Sequence, residues 1–402
     1  MESNSRKPKL ETLAVHAGDR KKLADYVPAT TPIYAATSFF YDSIDDLEAV
    51  FDQRKEGHGY SRYGNPTTGA FEEQIRALEG ADFALATSSG MSAIHLALLA
   101  ALTDRRKTIV AAKLLYGQTL SMLMNVFEPM GAEIHFADPS NLERFEEVVA
   151  ETRPACVVVE TVSNPVLRVP ELDKLSEIAH RHGALTIVDS TFTTPVLMRP
   201  FEHGADIVIH SGTKYLSGHG DALCGVVLAR EEHSTVLTFL MRTLGCNLGP
   251  FDSYLAMRGV KTLALRIERQ CQNAREVAER LKGVNGIEKV YFPGDPEHPD
   301  HEIAKRFFPE GLFGAVVTLD LKGGREEATA FMNALEMLVP ATSVGDVHSM
   351  VLYPPMSSHR DLAPKHRHRL GIGDGMVRLS IGIEAAEDIV ADIRQAVATA
   401  TG

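Results

Sequence analysis

The sequence predicts an α/β protein built on a mostly parallel sheet, and three observations carry that prediction. A series of short apolar runs recurs between residues 83 and 228, helical patterns lie between several of them, and small or polar residues follow the runs. The runs are Phe83 to Ala86, Thr108 to Ala112, Cys156 to Val159, Leu185 to Val188, Ile207 to Ile209 and Gly225 to Leu228; helical patterns include Met91 to Leu102 and Pro170 to His182. Strands alternating with helices pair in parallel under two helical layers, and such sheets bind ligands at the carboxyl ends of their strands.

Residues 1–58 lack a clear domain pattern and carry Pro28 and Pro32 in a polar setting, which predicts an arm lying on another subunit. A large domain, 59–255, follows. In Tyr60-Ser-Arg62-Tyr-Gly-Asn-Pro-Thr-Thr68, Gly64-Asn65-Pro66 breaks the chain before a helix starting near Thr67. Thr87-Ser-Ser-Gly90-Met91-Ser92 follows the first strand and opens the next helix, which sets free backbone N–H groups and a positive dipole end against an anion. Alone this is an ordinary cap; together with Ser211 and Thr213 it makes phosphate binding the better reading, with Gly90 and Met91 as backbone donors. Tyr116 follows the second run, where an aromatic ring can stack on a flat ligand. Glu160-Thr-Val-Ser-Asn164-Pro165 ends the next strand, and Leu185-Thr-Ile-Val ends in an acid, Asp189. After Ile207-Val-Ile209 come Ser211-Gly212-Thr213 and then Lys214, where a strand delivers side chains to a cleft. A lysine in a cleft lined by apolar strands can lose its proton and form a Schiff base with a carbonyl compound.

Past Leu255 a long helical pattern, Ser253 to Leu281, leads into a smaller domain, 256–402. Strand-like Phe313 to Leu321, a helix near Glu326 to Leu335 and a strand at Val377 to Glu384 predict an α+β layer. Within that last strand Arg378 can grip a carboxylate with two parallel hydrogen bonds.

Composition narrows the function. The chain has 402 residues, 44% hydrophobic and 23% charged, as in ordinary soluble globular proteins, and no apolar run approaches a membrane span. MESNSRKPKL has no apolar signal core, so a cytoplasmic protein is expected. A net charge of −12 without basic clusters argues against nucleic acid and anionic membranes as partners. Cys156, Cys224, Cys246 and Cys271 form no CxxC and read as reduced thiols, Cys156 and Cys224 in core strands. The 16 histidines show no HExxH; His359, His366 and His368 lie among arginines and predict a solvated loop or turn, so no metal is expected. Gly371-Ile-Gly373-Asp-Gly375 has the wrong spacing for a dinucleotide fingerprint, and no phosphate-loop motif for a nucleotide is present.

Val188-Asp-Ser-Thr-Phe192 and His210-Ser-Gly-Thr-Lys-Tyr-Leu-Ser-Gly-His219 resemble the pyridoxal-phosphate enzymes of cysteine and methionine metabolism, the cystathionine and methionine γ-lyase family. The resemblance runs from His16-Ala-Gly-Asp19 to Val377–Glu384. It implies an aspartate-aminotransferase-like fold with a mostly parallel seven-stranded sheet, pyridoxal 5'-phosphate on Lys214, and Asp189 at the pyridine nitrogen. It also implies that Tyr116 stacks on the ring and protonates the leaving sulfur, and that Asn164 contacts the ring oxygen and the substrate carboxylate. Ser163 replaces the threonine common before that asparagine. Arg378, helped by Ser343, would hold the α-carboxylate, while Tyr60 and Arg62 would bind the phosphate of a neighbouring subunit. A homodimer with shared sites, as a rule paired into a homotetramer, is implied in turn.

The activity implied is γ-elimination from L-cystathionine, L-methionine or L-homocysteine, with γ-replacement on a homoserine ester as the alternative and a non-catalytic scaffold as a third reading. Two tuning positions depart from the family patterns. Gln118 stands where methionine lyases have cysteine, and Thr342 where cystathionine lyases usually have glutamate. A glutamine near the distal end of the substrate favours a polar group there over a bare methyl thioether.

Overall fold

The computed structural model describes residues 8–18, 27–102, 106–360 and 363–401, with His366 described by its backbone alone. Part of the expected arm, and Asp19 of the first motif, lie outside the described residues. Two compact units are present, one of residues 1–100 and 209–264, the other of 101–208 and 265–402. The α/β class is as the sequence predicts: seven strands form the larger sheet in the order β1-β7-β6-β5-β4-β2-β3, and five form a second sheet. The larger sheet comprises β1 (Phe83–Thr87), β2 (Thr108–Ala112), β3 (Glu133–Ala137), β4 (Cys156–Glu160), β5 (Leu185–Asp189), β6 (Ile207–His210) and β7 (Gly225–Ala229).

In the first unit β1 pairs antiparallel with β7. The helix Pro66–Glu79 starts where the sequence signals it. Proline occupies its first turn, the Asn65 side chain accepts the Thr67 N–H, and Gly80 closes it in the left-handed conformation at φ 68°. Phe71, Ile75 and Leu78, spaced along one face, are fully buried. Burying each contributes about 1.5–3 kcal/mol. The expected arm is extended over 27–43 apart from local turns, then forms the helix Ile44–Phe51, capped by Ser43. A single bridge joins Ser38 to Tyr60.

In the second unit β3, β2, β4 and β5 lie parallel. Cys156 to Val159 are buried throughout, the unbroken apolar pattern of a strand covered on both faces. The second sheet has the order β10-β11-β12-β9-β8, from β8 (Ile287–Tyr291), β9 (Val316–Leu321), β10 (Val339–Pro340), β11 (Met350–Leu352) and β12 (Met376–Ser380). Its core joins Val317, Leu319, Val377 and Leu379 with Val277, Phe331, Ile389 and Ile393 from three helices.

Four details differ from the sequence reading. The apolar runs miss β3, because Glu133-Ile-His-Phe-Ala is an edge strand with an exposed to half-buried surface and no unbroken apolar signal. The long helical pattern is two helices, Pro250–Val260 and Leu263–Leu281. There the Gly259 carbonyl accepts both the N–H and the hydroxyl of Thr262, which tightens the backbone and ends the first helix. The expected strands at 313–321 and 377–384 are shorter, Val316–Leu321 and Met376–Ser380; beyond the latter Gly382 passes too close to the Val347 carbonyl for any side chain. Finally, His359 lies in a turn but is not solvated: it is 2% exposed, and burial with the Arg378 and Arg367 charges pushes it down to about 4. His368 is exposed beside Asp374, at 3.4 Å.

All four cysteines are free thiols, and burial pushes Cys156 and Cys224 up to about 12. Among the described residues, no helix is long and apolar enough to cross a membrane, and no group of three His, Cys, Asp or Glu is placed to hold a metal ion.

Candidate active site

Two sets of the singled-out residues are assembled, one in each unit. In the first unit β1 ends at Thr87 and the helix Gly90–Ala101 follows. The Ser89 hydroxyl accepts the Ser92 N–H at 3.1 Å, so the first-turn N–H groups of Gly90 and Met91 are the ones left for an outside acceptor. Beside them runs the turn after β6. A Cβ on Gly90 would lie 2.7 Å from the Ser211 Cβ, so glycine alone allows the helix start and the Ser211 turn to touch. Gly212 has the same function further on, where a Cβ would meet the Cys224 sulfur at 2.6 Å.

The lysine turn is pinned on several sides. Thr213 N–H and hydroxyl both donate to the Cys224 carbonyl at 3.1 Å, and the Cys224 N–H donates back to that hydroxyl at 3.0 Å. Lys214 N–H donates to the Ser211 carbonyl at 3.1 Å, and Gly218 N–H to the Lys214 carbonyl at 2.9 Å. Tyr215 next to it is buried, while Lys214 is half-buried. Elsewhere in this unit the Arg62 guanidinium stands over the rings of Tyr60 (5.6 Å) and Tyr63 (4.7 Å) and donates to the Arg242 carbonyl.

In the second unit the strand ends deliver the chemistry. Tyr116 precedes the helix Gly117–Met122 just past β2, Glu160 ends β4, and Asp189 ends β5 in register with Glu160. The Asp189 carboxylate accepts the Thr191 N–H at 2.9 Å. Tyr116 keeps 38% exposure; burial raises its phenol above the ordinary tyrosine value, Arg378 opposes that, and Glu160 and Asp189 add to it. Arg378 on β12 and Asn164 are each 4% exposed. The guanidinium donates to Asn164 Oδ1 at 2.9 Å and to the Ser343 carbonyl at 3.0 Å, and its cation lies 5.9 Å from the Phe192 ring. Arg378, Asn164 and Ser343 are thus brought together as the sequence expects, although Ser343 contributes its carbonyl. Gln118 and Thr342 are both exposed.

Glu160 was quoted in a motif without a function, yet its carboxyl accepts the Tyr116 N–H at 2.5 Å. An acid closing an apolar strand, one strand away from Asp189, was the available signal. Phe192 beside Arg378 was likewise missed, for its contact is tertiary.

One unit thus holds a half-buried lysine and a helix start with unpaired N–H groups, and the other a strand-end acid, a phenol and a buried arginine, residue types that enzymes handling amino acids with a phosphorylated carbonyl cofactor use. The comparisons with known proteins name the class. The family model described as Cys/Met metabolism PLP-dependent enzyme matches residues 11–398. The L-methionine gamma-lyase of Fusobacterium nucleatum subsp. polymorphum is 40% identical over 389 residues, covering 96% of this chain and 97% of that protein. The O-succinylhomoserine sulfhydrylase of Pseudomonas aeruginosa is 39% identical, over 96% of this chain and 95% of that one. The crystal structure of cystathionine gamma synthase from Xanthomonas oryzae pv. oryzae, in complex with aminoacrylate and cysteine, matches with a TM-score of 0.91 at 35% identity, covering 98% of this chain and 99% of that chain. The chain belongs to the family of pyridoxal-phosphate-dependent enzymes of cysteine and methionine metabolism. It is an enzyme, and its cofactor is pyridoxal 5'-phosphate.

The residues present fit that group. A phosphate needs several converging donors, and the close approach of Gly90 to Ser211 brings the helix start and the Ser211 hydroxyl together.

Proposed function

We propose that this enzyme catalyses γ-elimination from L-cystathionine, L-methionine or L-homocysteine, giving 2-oxobutanoate, ammonia and a thiol. One observation carries the reading: the Tyr116 phenol, kept protonated by burial, lies within electrostatic reach of Arg378, which Asn164 and Ser343 hold in place. Arg378 orients the substrate through its α-carboxylate, and Tyr116 protonates the sulfur as it leaves Cγ. Pyridoxal phosphate, when bound, supplies the electron sink that acidifies the substrate carbons. In this proposal Lys214 would hold the cofactor and then take the proton from Cα, a second proton would leave Cβ as the Cγ–S bond breaks, water would release 2-oxobutanoate and ammonia, and Asp189 would keep a proton on the ring nitrogen. Ser211, Thr213 and the N–H groups of Gly90 and Met91 hold the phosphate. Tyr116 and Asn164 would also help to hold the cofactor's ring. Tyr60 and Arg62 serve the phosphate of a second copy of the chain, in a homodimer that pairs into a homotetramer. Residues 1–58 form the arm, 59–255 the cofactor domain and 256–402 the smaller domain of a cytoplasmic enzyme.

γ-Replacement is the second reading, favoured by the exposed polar side chains of Gln118 and Thr342, which suit a polar distal group. One assay panel separates the two: L-cystathionine, L-methionine, L-homocysteine and O-acyl-homoserines, each with and without sulfide or cysteine. Release of 2-oxobutanoate from the thioethers supports elimination. Inert thioethers, with efficient conversion of acyl-homoserine and thiol, would replace it by a synthase. Lys214→Ala should abolish the yellow cofactor absorbance; an unchanged spectrum removes that assignment.

A further inference from the structure

We propose that Glu160 is a positioning residue: by accepting the backbone N–H of Tyr116, it ties the proton-donating phenol to the segment whose Asn164 holds the carboxylate-gripping arginine. This rests on the functional reading above for the roles of Tyr116 and Arg378, and on independent geometry for the link between them.

The geometry runs through one carboxyl group. Glu160 Oε1 accepts the Tyr116 N–H at 2.5 Å, and Asn164 follows a few residues further along the same segment. Asn164 in turn accepts from Arg378 through its side-chain oxygen. Two hydrogen bonds and the short segment between Glu160 and Asn164 therefore connect the Tyr116 turn to the arginine on β12. The Tyr116 carbonyl accepts the N–H groups of Thr119 and Leu120 at 2.9 and 3.2 Å, which hold the turn to its own helix, while the Glu160 bond ties it to β4. No side chain caps the short helix Gly117–Met122 that Tyr116 introduces. On one side the turn is blocked, since a Cβ on Gly117 would lie 1.8 Å from the Ser358 carbonyl oxygen. Loss of the Glu160 bond would remove the tie between this turn and β4.

Burial, reinforced by Asp189, raises Glu160 well above the usual carboxyl range. The acceptor that the Tyr116 N–H needs can be reproduced by glutamine, whose amide oxygen is of similar reach.

Displacing a reacting group by about 1 Å costs roughly a hundredfold in rate. In the holoenzyme, Glu160→Ala should lower kcat for elimination by about ten- to a hundredfold while KM moves less than about threefold. Glu160→Gln should restore kcat to within about threefold. In a Tyr116→Phe background, Glu160→Ala should cost less than about twofold, because the group it positions is gone. A second arm reads the link without turnover: in protein labelled with 15N-tyrosine, the Tyr116 amide, assigned by its loss in Tyr116→Phe, should be downfield and slow to exchange in wild type and Glu160→Gln, and lose both properties in Glu160→Ala. Equal losses in the glutamine and alanine variants, or additive losses with Tyr116→Phe, would overturn the proposal. If no sulfur substrate is turned over, the functional reading fails by itself, and a Tyr116 amide equally protected in Glu160→Ala would separately refute the link.

Discussion

Replacing Gly90 by alanine should weaken cofactor binding by an amount that follows from the structure. The added Cβ would lie 2.7 Å from the Ser211 Cβ and 2.9 Å from both its Cα and Oγ. Carbon atoms settle at about 3.5–4.0 Å, so the helix start and the Ser211 turn must separate by roughly 1 Å. A rotamer change cannot absorb this, since two of the three atoms are tethered to the backbone that leads to Lys214. Forcing a methyl group into such a contact costs about 1–3 kcal/mol. Because separation also spreads the phosphate donors, the cost should fall on the cofactor-bound state, weakening binding roughly 5- to 140-fold. The chain has no tryptophan, so the measurement is a titration of apoenzyme followed by cofactor absorbance or equilibrium dialysis. Gly69→Ala is the control: it lies inside the helix Pro66–Glu79, a Cβ there meets nothing within 4 Å, and affinity should be unchanged. Gly90→Ala binding within about twofold of wild type would refute the cradle assignment.

Further outcomes follow from other parts of the structure. Arg378→Lys exchanges a two-pronged grip for a point charge, so KM for the amino acid should rise about ten- to a hundredfold with cofactor absorbance intact; a fall in kcat alone would argue against a carboxylate grip. Subunit exchange between inactive Lys214→Ala and Arg62→Ala chains should restore part of the activity, since one of the two sites in the mixed dimer is then intact; exchange without recovery would refute shared sites. Asp392 accepts the N–H groups of Glu336, Met337 and Leu338, each at 2.9 Å. Burial raises its carboxyl, but these donors and Gln395 outweigh that and hold it below the usual value. Its contribution is therefore present above the unfolded value of about 4 and lost as pH falls through the lower folded value. Asp392→Ala should cost roughly 3 kcal/mol near neutral pH, with the difference from wild type in denaturant midpoint narrowing at acid pH. A pH-independent difference would contradict the sign.

The local sequence was enough to determine the strand cores, the Asn65-Pro66 helix start, the helix-opening turn at Ser89–Met91 and the lysine turn after β6. Each is set by neighbours a few residues away: apolar runs, a capping side chain, a glycine at a tight approach. Resemblance in long motifs then pointed to the family and cofactor. Tertiary structure alone decided the rest. The helix break at 261–262 comes with the close passage of Gly259 against the Ser217 carbonyl, where a Cβ would lie 2.0 Å away. Its apolar spacing gave no sign of that. His359 is buried, contrary to its polar surroundings in the sequence, because burial depends on what packs over a turn. Arg378 and Asn164 lie 214 residues apart in the chain, and no periodicity predicts that they meet. Glu160 is the clearest case. Its position at the end of an apolar strand was visible, but its contact depends on which backbone N–H reaches it, and only the folded chain brings Tyr116 to that carboxyl.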